Sequence, residues 1–286
     1  LIQLSKKKKA RLDLIPDSII LSINKHNKME NKIEYLLGLD ISTSVIGMSL
    51  FKHENDILDV ILSESLELNN KETKKLKGLE SLLTKSKIFE EKLKQYETII
   101  KMTYDNSITK VVIEQPLFGS NNINTVGTLM RFSGIITHVI YNTLNIICEE
   151  ISSYDARMYA FPSLCAVNVY NKKGEKRNIK EIKKSLKDGT IPLFGEFPFG
   201  VAKKDVIFDM IIEKYPDINV LYDKKGEIKK INYDSSDSIC CVIGYIQKIK
   251  CNSEKPKLIS YEIQPDKVEY KTQWMETVYN HTIIIN

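Results

Sequence analysis

A carboxylate at the end of an apolar run loses hydration and must find a partner, and this chain puts acids in that position at three sites. The run Tyr35-Leu36-Leu37-Gly38-Leu39 ends in Asp40, and Val111-Val112-Ile113 ends in Glu114. Asp234 and Asp237 open the apolar stretch 239–243 at i, i+3 spacing, which puts both on one helix face. Desolvating a charge is costly unless it is paired, hydrogen-bonded or neutralised. The fold must therefore carry these acids to cations or to one another. Each also has a plainer reading. Asp40 has the place of a turn residue, and Glu114 that of a strand terminus before Gln115-Pro116. Asp234-Ser-Ser-Asp237 has the spacing of a capping box with Asp234 at the N-cap.

The surrounding pattern supplies the elements. Residues 35–40, 45–51 and 57–68 read as three short strands with tight connections, a meander whose first strand is buried on both faces. Residues 78–104 set Leu79, Leu82, Leu83, Phe89, Leu93, Tyr96, Ile99 and Ile100 near helical spacing. A short buried strand at 111–113 is stopped by Pro116. A second amphipathic helix spans 122–144, a strand 145–152, and further helices 203–215 and 234–249. Residues 163–199 read as a polar, lysine-rich insertion with a short helix at 178–187 ended by Gly189. Residues 251–286 show weak strand character. A meander followed by helix–strand alternation predicts an α/β fold, a mixed sheet with helices on its faces.

Composition removes several classes. Hydrophobic residues make up 42% and charged residues 28% of 286, which excludes global disorder. The net charge of +5 permits a nucleic-acid partner without requiring one. Only Arg11, Arg131, Arg157 and Arg177 are arginines, so the lysine excess reads first as coding bias. Five cysteines without framework spacing, two of them adjacent at 240 and 241, predict free thiols in a reducing compartment. No apolar stretch reaches the ~18 residues of a membrane span. Residues 1–32 are expected to be a basic, mostly flexible tail, and Met29 stands where a natural start is expected.

Taken together, LGLDISTSVIGMSLF, VVIEQPLF and DSSDSICCVIGY resemble the three acidic motifs of RuvC-type Holliday junction resolvases. Asp40 and Gly47 keep the spacing of the first motif, Glu114-Gln115 match the second, and Asp234 with Asp237 match the third. GVAKKDVI resembles the family's Gly-x-Ala-x-Lys segment, which carries a DNA-contacting role over to Lys204, beside Lys203. Arg157 falls near another basic position of the family. An aromatic shortly after the Glu-Gln pair has Phe118 as its nearest candidate, with Leu117 in the matching place. The turn after Asp40 is Ile-Ser instead of Pro-Gly, and the insertion and the extension have no counterpart in compact bacterial members.

The resemblance implies an RNase H-like (RuvC-type) mixed five-stranded sheet flanked by helices on both faces. It implies a nuclease domain over 33–250, interrupted by the insertion and followed by the extension. Asp40, Glu114, Asp234 and Asp237 would hold two Mg²⁺ ions, with Mn²⁺ able to substitute, for phosphodiester hydrolysis. DNA would be met by Lys204, beside Lys203, and by Arg157 and Phe118; apart from the resemblance, the basic run of the insertion, with Lys172, Lys173, Lys176 and Arg177, reads either as a DNA-tracking arm or as a solvated face. The substrate would be a four-way junction, cut symmetrically by a homodimer in the cytoplasm of a bacterium or a virally infected cell. The apolar face of helix 122–144, with Phe132, Ile135, Ile136 and Val139, is the expected dimer interface. Two other activities fit parts of the pattern. One is a RuvC-like endonuclease acting on other branched or flapped DNA. The other is a sugar-kinase or actin-like ATPase, whose first phosphate loop LGLDISTSVIG resembles, but the chain lacks that fold's later glycine-rich motifs.

Overall fold

The computed structural model describes residues 33–116 and 122–285. Strand β1 (Glu34–Ile41) is apolar on both sides because both are covered. It pairs antiparallel with β2 (Val45–Glu54), which pairs antiparallel with β3 (Ile57–Glu67). On its other side β1 runs parallel to β4 (Lys110–Glu114), and β4 parallel to β5 (Glu149–Ile151). The order β3-β2-β1-β4-β5 is the RNase H-like mixed sheet expected from the sequence, with β1 central. Parallel neighbours need crossovers, and helix α1 (Gly78–Tyr104) and helix α2 (Ile123–Leu144) provide them.

Strand parity divides the core in two. Leu37, Leu39, Val111 and Ile113 meet Phe89, Leu93 and Tyr96 of α1 and Phe132, Ile136 and Ile140 of α2. Leu36, Phe51 and Val112 face the other way. There they meet α3 (Ser153–Ala160), α5 (Lys203–Lys214) and α6 (Asn232–Lys250) through Ala156, Ile207, Ile211, Ile239 and Val242. Asp40 continues the Leu36–Gly38 row, and Glu114 continues the Val112 row. Both acids therefore belong to the face that carries α6.

The contact between α6 and the sheet is made at backbone distance. A Cβ on Gly38 would lie 2.3 Å from the Ser238 carbonyl oxygen, and one on Gly47 would lie 1.9 Å from the Asp234 carbonyl oxygen. Gly47 is the β2 partner of Asp40. Lacking side chains at these two positions, the sheet admits the start of α6 directly over the end of β1. Three small residues of α6 close their own hydrogen bonds. The hydroxyls of Ser235, Ser236 and Ser238 donate to carbonyls three residues back at 2.7–2.9 Å, so they are buried without external partners. Ser65 of β3 donates to the Ile231 carbonyl at 2.6 Å and pins the helix start.

Beyond the sheet, α4 (Ile179–Asp188) begins with a capping box, Asn178 with Glu181, and ends at Gly189 in the left-handed region. The C-terminal extension, weak in strand signal, carries a second antiparallel sheet of β6 (Lys257–Ile263), β7 (Lys267–Trp274) and β8 (Thr277–Ile284). Val268, Tyr270 and Ile283 pack against Ala166, Val167, Val169, Ile182 and Leu186, so insertion and extension share one core. All five cysteines are free thiols. No helix among the described residues is long and apolar enough to cross a membrane.

Two expectations change. The strand at 145–152 shrinks to Glu149–Ile151, because Asn145 takes φ 56° and caps α2. The apolar face of α2 is no dimer surface: Phe132 and Ile136 are fully buried against α1 and the sheet, and Ile135 and Val139 pack on the same cluster. A charge at Ile136 would destabilise the fold itself. The tail at 1–32, with Met29, lies outside the described residues.

The glycine contacts predict a contrast in thermal unfolding. Gly47→Ala must displace a helix backbone and should lower stability by about 1–3 kcal/mol. Gly134→Ala, at an exposed position of α2 with nothing within 4 Å of the new methyl, should raise it by up to ~1 kcal/mol. Equal melting points for the two variants would show that α6 does not depend on Gly47.

Candidate active site

Register places the first two acids side by side. Leu39 pairs with Ile113 across the parallel β1–β4 ladder, so Asp40 and Glu114 are the next residues on adjacent strands. The start of α6 lies over them through Gly47 and brings the third pair. Helix α6 begins at Asn232 with Ile231 at its N-cap, so Asp234 lies inside the first turn and is not the cap. The capping-box reading of Asp234-Ser-Ser-Asp237 therefore does not hold. Its backbone N–H bonds the Ile231 carbonyl at 3.2 Å, as a helical residue's does.

The acids act on one another. Burial, then the charges of Glu114, Asp237 and Asp234, hold the Asp40 carboxyl well above the usual range. Glu114 is pushed up to about 7, first by burial and then by Asp237, against the opposing pull of Arg157, a hydrogen bond with Ser153, and Lys204. Burial also raises Asp234, with Lys204 opposing and Asp237 adding to the rise. Asp40 thus feels the three other acids, and Glu114 and Asp234 each feel Asp237.

Two cations answer them, both through Asp237. Arg157 on α3 donates Nη2 and Nε to Asp237 Oδ1 at 2.8 and 3.2 Å, and Lys204 Nζ lies 3.0 Å from Oδ2. Asp237 is buried, Arg157 is 22% exposed by side chain and Lys204 50%. A Cβ on Gly244 would lie 2.4 Å from the Ala156 carbonyl oxygen, so α3 and α6 also meet at backbone distance, and Arg157 follows directly after Ala156. Lys204 sits in the first turn of α5, where the helix dipole disfavours a cation. Burial works against its charge too, yet the attraction and hydrogen bond of Asp237 raise its pKa above the ordinary lysine value. The Tyr233 phenol donates to Asp205 and ties the start of α5 to that of α6.

The donor chemistry suits a hard divalent cation. The converging groups are carboxylate oxygens, and burial keeps the nearby Cys240 and Cys241 thiols protonated well above their usual range, where they are poor ligands. An added positive charge would relieve the repulsion that raises Asp40 and Glu114. Among the described residues, however, no three acidic, histidine or cysteine side chains are already drawn up as a metal-holding group. Both Asp237 oxygens are engaged by Arg157 and Lys204.

The remaining sequence candidates lie elsewhere. Lys203 stacks 5.2 Å from the Phe194 ring. Lys172, Lys173 and Lys176 are exposed in the insertion, whereas Arg177 bonds the Tyr170 carbonyl and the Ser185 hydroxyl, both at 3.2 Å, in a structural role. Leu117 and Phe118 fall outside the described residues. Sequence reasoning missed Ser153 and the pairing of Arg157 with Asp237.

No family model matches the chain, and no curated protein does. Solved structures of similar shape include Thermus thermophilus RuvC in complex with Holliday junction substrate, at 7% identity and TM-score 0.40, covering 77% of this chain and 98% of that one. The yeast mitochondrial Holliday junction resolvase is similar at 11% identity and TM-score 0.38, covering 75% and 78%. An Aquifex aeolicus Ppx/GppA family member reaches 13% identity and TM-score 0.31, covering 51% and 46%.

The raised acids predict a pH dependence in chelator. Glu114 binds its proton more tightly folded than unfolded, so its contribution favours the folded state below the usual value of 4.5. That contribution is lost as pH rises from 4.5 through about 7. Asp40 acts in the same sense. The melting temperature should fall across this window, and Glu114→Gln should flatten the fall and melt higher than wild type above it. A variant as steep as wild type would mean that Glu114 is solvated in the folded protein.

Proposed function

We propose that this chain is a divalent-metal-dependent endonuclease that hydrolyses phosphodiester bonds in branched DNA, with the four-way junction as its substrate. The observation that supports this most is the gathering of Asp40, Glu114 and Asp237 from two strand ends and a helix, opposite Lys204 and Arg157. Mg²⁺ or Mn²⁺ bound among these oxygens, two ions in the full site, would activate a water and stabilise the leaving oxygen. Asp40, at the end of the central strand β1, would be one of the ligands. Glu114 would hold one of them and help place the attacking water. Asp234 and Asp237 would hold the other.

Lys204 and Arg157 divide the cationic work. Lys204 is half exposed and makes one contact to Asp237, so it is free to turn to a scissile phosphate. Arg157 is more deeply set and donates twice to one oxygen, so it stays and keeps Asp237 oriented. The junction as substrate follows from the resemblance of the three acidic motifs. Its two-fold symmetry calls for paired active sites, hence a homodimer, formed through some surface other than the buried face of α2.

Amide substitutions separate binding from chemistry. Asp40→Asn, Glu114→Gln and Asp237→Asn should each lower nicking of a labelled four-way junction in Mg²⁺ by at least ~3 orders of magnitude, about 4 kcal/mol of barrier, while junction affinity persists or rises. Asp234→Asn removes a charge that caps nothing, and it should cost at least about tenfold. The same assay with duplex, flap and single strand reads substrate choice: paired nicks confined to the junction support the resolvase reading, and equal cutting of flaps favours a broader branched-DNA nuclease. Folded Asp40, Glu114 and Asp237 variants that cleave within tenfold of wild type would leave these acids with a structural role and no nuclease.

A further inference from the structure

Between α3 and α5 the insertion folds back on itself. Cys165 bridges Leu193, and the N–H groups of Ala166 and Val169 donate to the carbonyls of Pro192 and Gly195 at 3.1 and 2.8 Å. This pairing throws residues 171–176 outward as a tight turn. Asn171 closes it: its N–H donates to the Glu175 carbonyl at 2.9 Å, and its Oδ1 accepts from Lys173 N at 2.9 Å and Glu175 N at 3.0 Å. The turn's Gly174, at φ 81°, lies against the backbone of Phe199, where an added Cβ would stand 3.2 Å from the carbonyl oxygen. The exposed Lys172 and Lys173 are thereby held beside Phe199.

The three phenylalanines of this segment are used differently. Phe194 is buried, meets Phe197 edge to face at 5.7 Å and lies under Lys203. Phe199 is 75% exposed: its backbone supports the lysine turn while its side chain stands in solvent. Two turns, Val201 N to Pro198 O at 3.3 Å and Lys203 N to Val201 O at 2.8 Å, fold the chain from Phe199 into the start of α5. Lys204, the ion-pair partner of Asp237, follows at once. An exposed aromatic ring between lysines, a few residues from a phosphate-seeking cation, has the make-up of a single-strand surface. Such surfaces offer a π-face to a base and cations to the flanking phosphates.

We propose that Phe199, with Lys172, Lys173 and Lys203, is a platform that stacks an unpaired base of a DNA strand whose backbone continues to Lys204 and the acids. The inference rests on the nuclease reading for the path the strand takes on leaving the platform. Stacking needs a base that is free of its partner, so the platform selects branched or frayed DNA over intact duplex.

The test is made in chelator, so that binding is read without cleavage. The probe is a forked DNA with 2-aminopurine in its unpaired arm, compared with a fully paired duplex of the same length. Phe199→Ala should weaken fork binding by between about fivefold and a hundredfold and abolish the fluorescence quench, with duplex affinity and melting temperature unchanged. Phe199→Trp should restore both, and the apolar but non-aromatic Phe199→Leu should not. Lys172→Gln with Lys173→Gln should lower the slope of log affinity against log salt by about 1.4, ~0.7 for each phosphate contact to a single strand. Unchanged fork affinity in Phe199→Ala overturns the proposal, as does a changed oligomeric mass at unchanged affinity, which would make Phe199 a contact between copies. A wild type that stacks the fork but never nicks a junction in Mg²⁺ would sink the nuclease reading and leave the platform standing. Normal nicking by Phe199→Ala with unaltered fork binding would do the reverse.

Discussion

The site depends on how closely one helix can approach a sheet. Helix α6 meets β1 and β2 backbone to backbone at Gly38 and Gly47, and meets α3 in the same way at Gly244. An ordinary helix–sheet contact is made through side chains and stands them off accordingly. Here the side chains are missing at the contact points. The acids at the start of α6 therefore reach down to the ends of β1 and β4, and Arg157 comes within bonding distance of Asp237. A methyl group at any of these glycines acts on the chemistry through the position of a backbone.

That proximity creates an electrostatic problem which the fold solves only in part. Asp40 feels the charges of the three other acids, and the two nearby cations are both engaged by Asp237. Asp40 and Glu114 are left to repel each other and to hold protons above their usual range. A purely structural cluster would be expected to pair its charges more evenly. The unevenness, with Lys204 set against the dipole of its own helix, is the kind of local conflict found where a protein has a second component to accommodate.

The sheet and the acids were legible because they follow from short-range rules. Double-sided burial of β1 and β4 shows as unbroken apolar runs, and parity then decides the face of Asp40 and Glu114 without tertiary information. The three acidic motifs in order supplied the rest. The pairing of Arg157 with Asp237 was not legible, because the partner is 80 positions away and their meeting depends on a close approach at Gly244 that no local pattern announces. The start of α6 was read at 234 and lies at Asn232, which is why a cap stood open as one reading of Asp234; Ile231 and not an oxygen-bearing residue precedes the helix. The strand signal of the C-terminal sheet was weak because β6 is largely exposed, although β7 alternates clearly, with Val268, Tyr270, Thr272 and Trp274 buried. The apolar face of α2 was easy to see and wrongly assigned, because periodicity reports that a face is covered and not by what.

The core shared by insertion and extension has a consequence for the order of events on the ribosome. Ala166, Val167, Val169, Ile182 and Leu186 are synthesised well before Val268, Tyr270 and Ile283, which cover them. The strands of the five-stranded sheet and the helices over it have all emerged with α6, whereas the insertion, and the Met158 and Tyr159 side of α3 that Trp274 covers, still lack their partners. A nascent chain halted just past α6 would present a finished sheet beside an uncovered apolar patch, the species on which a holdase chaperone acts.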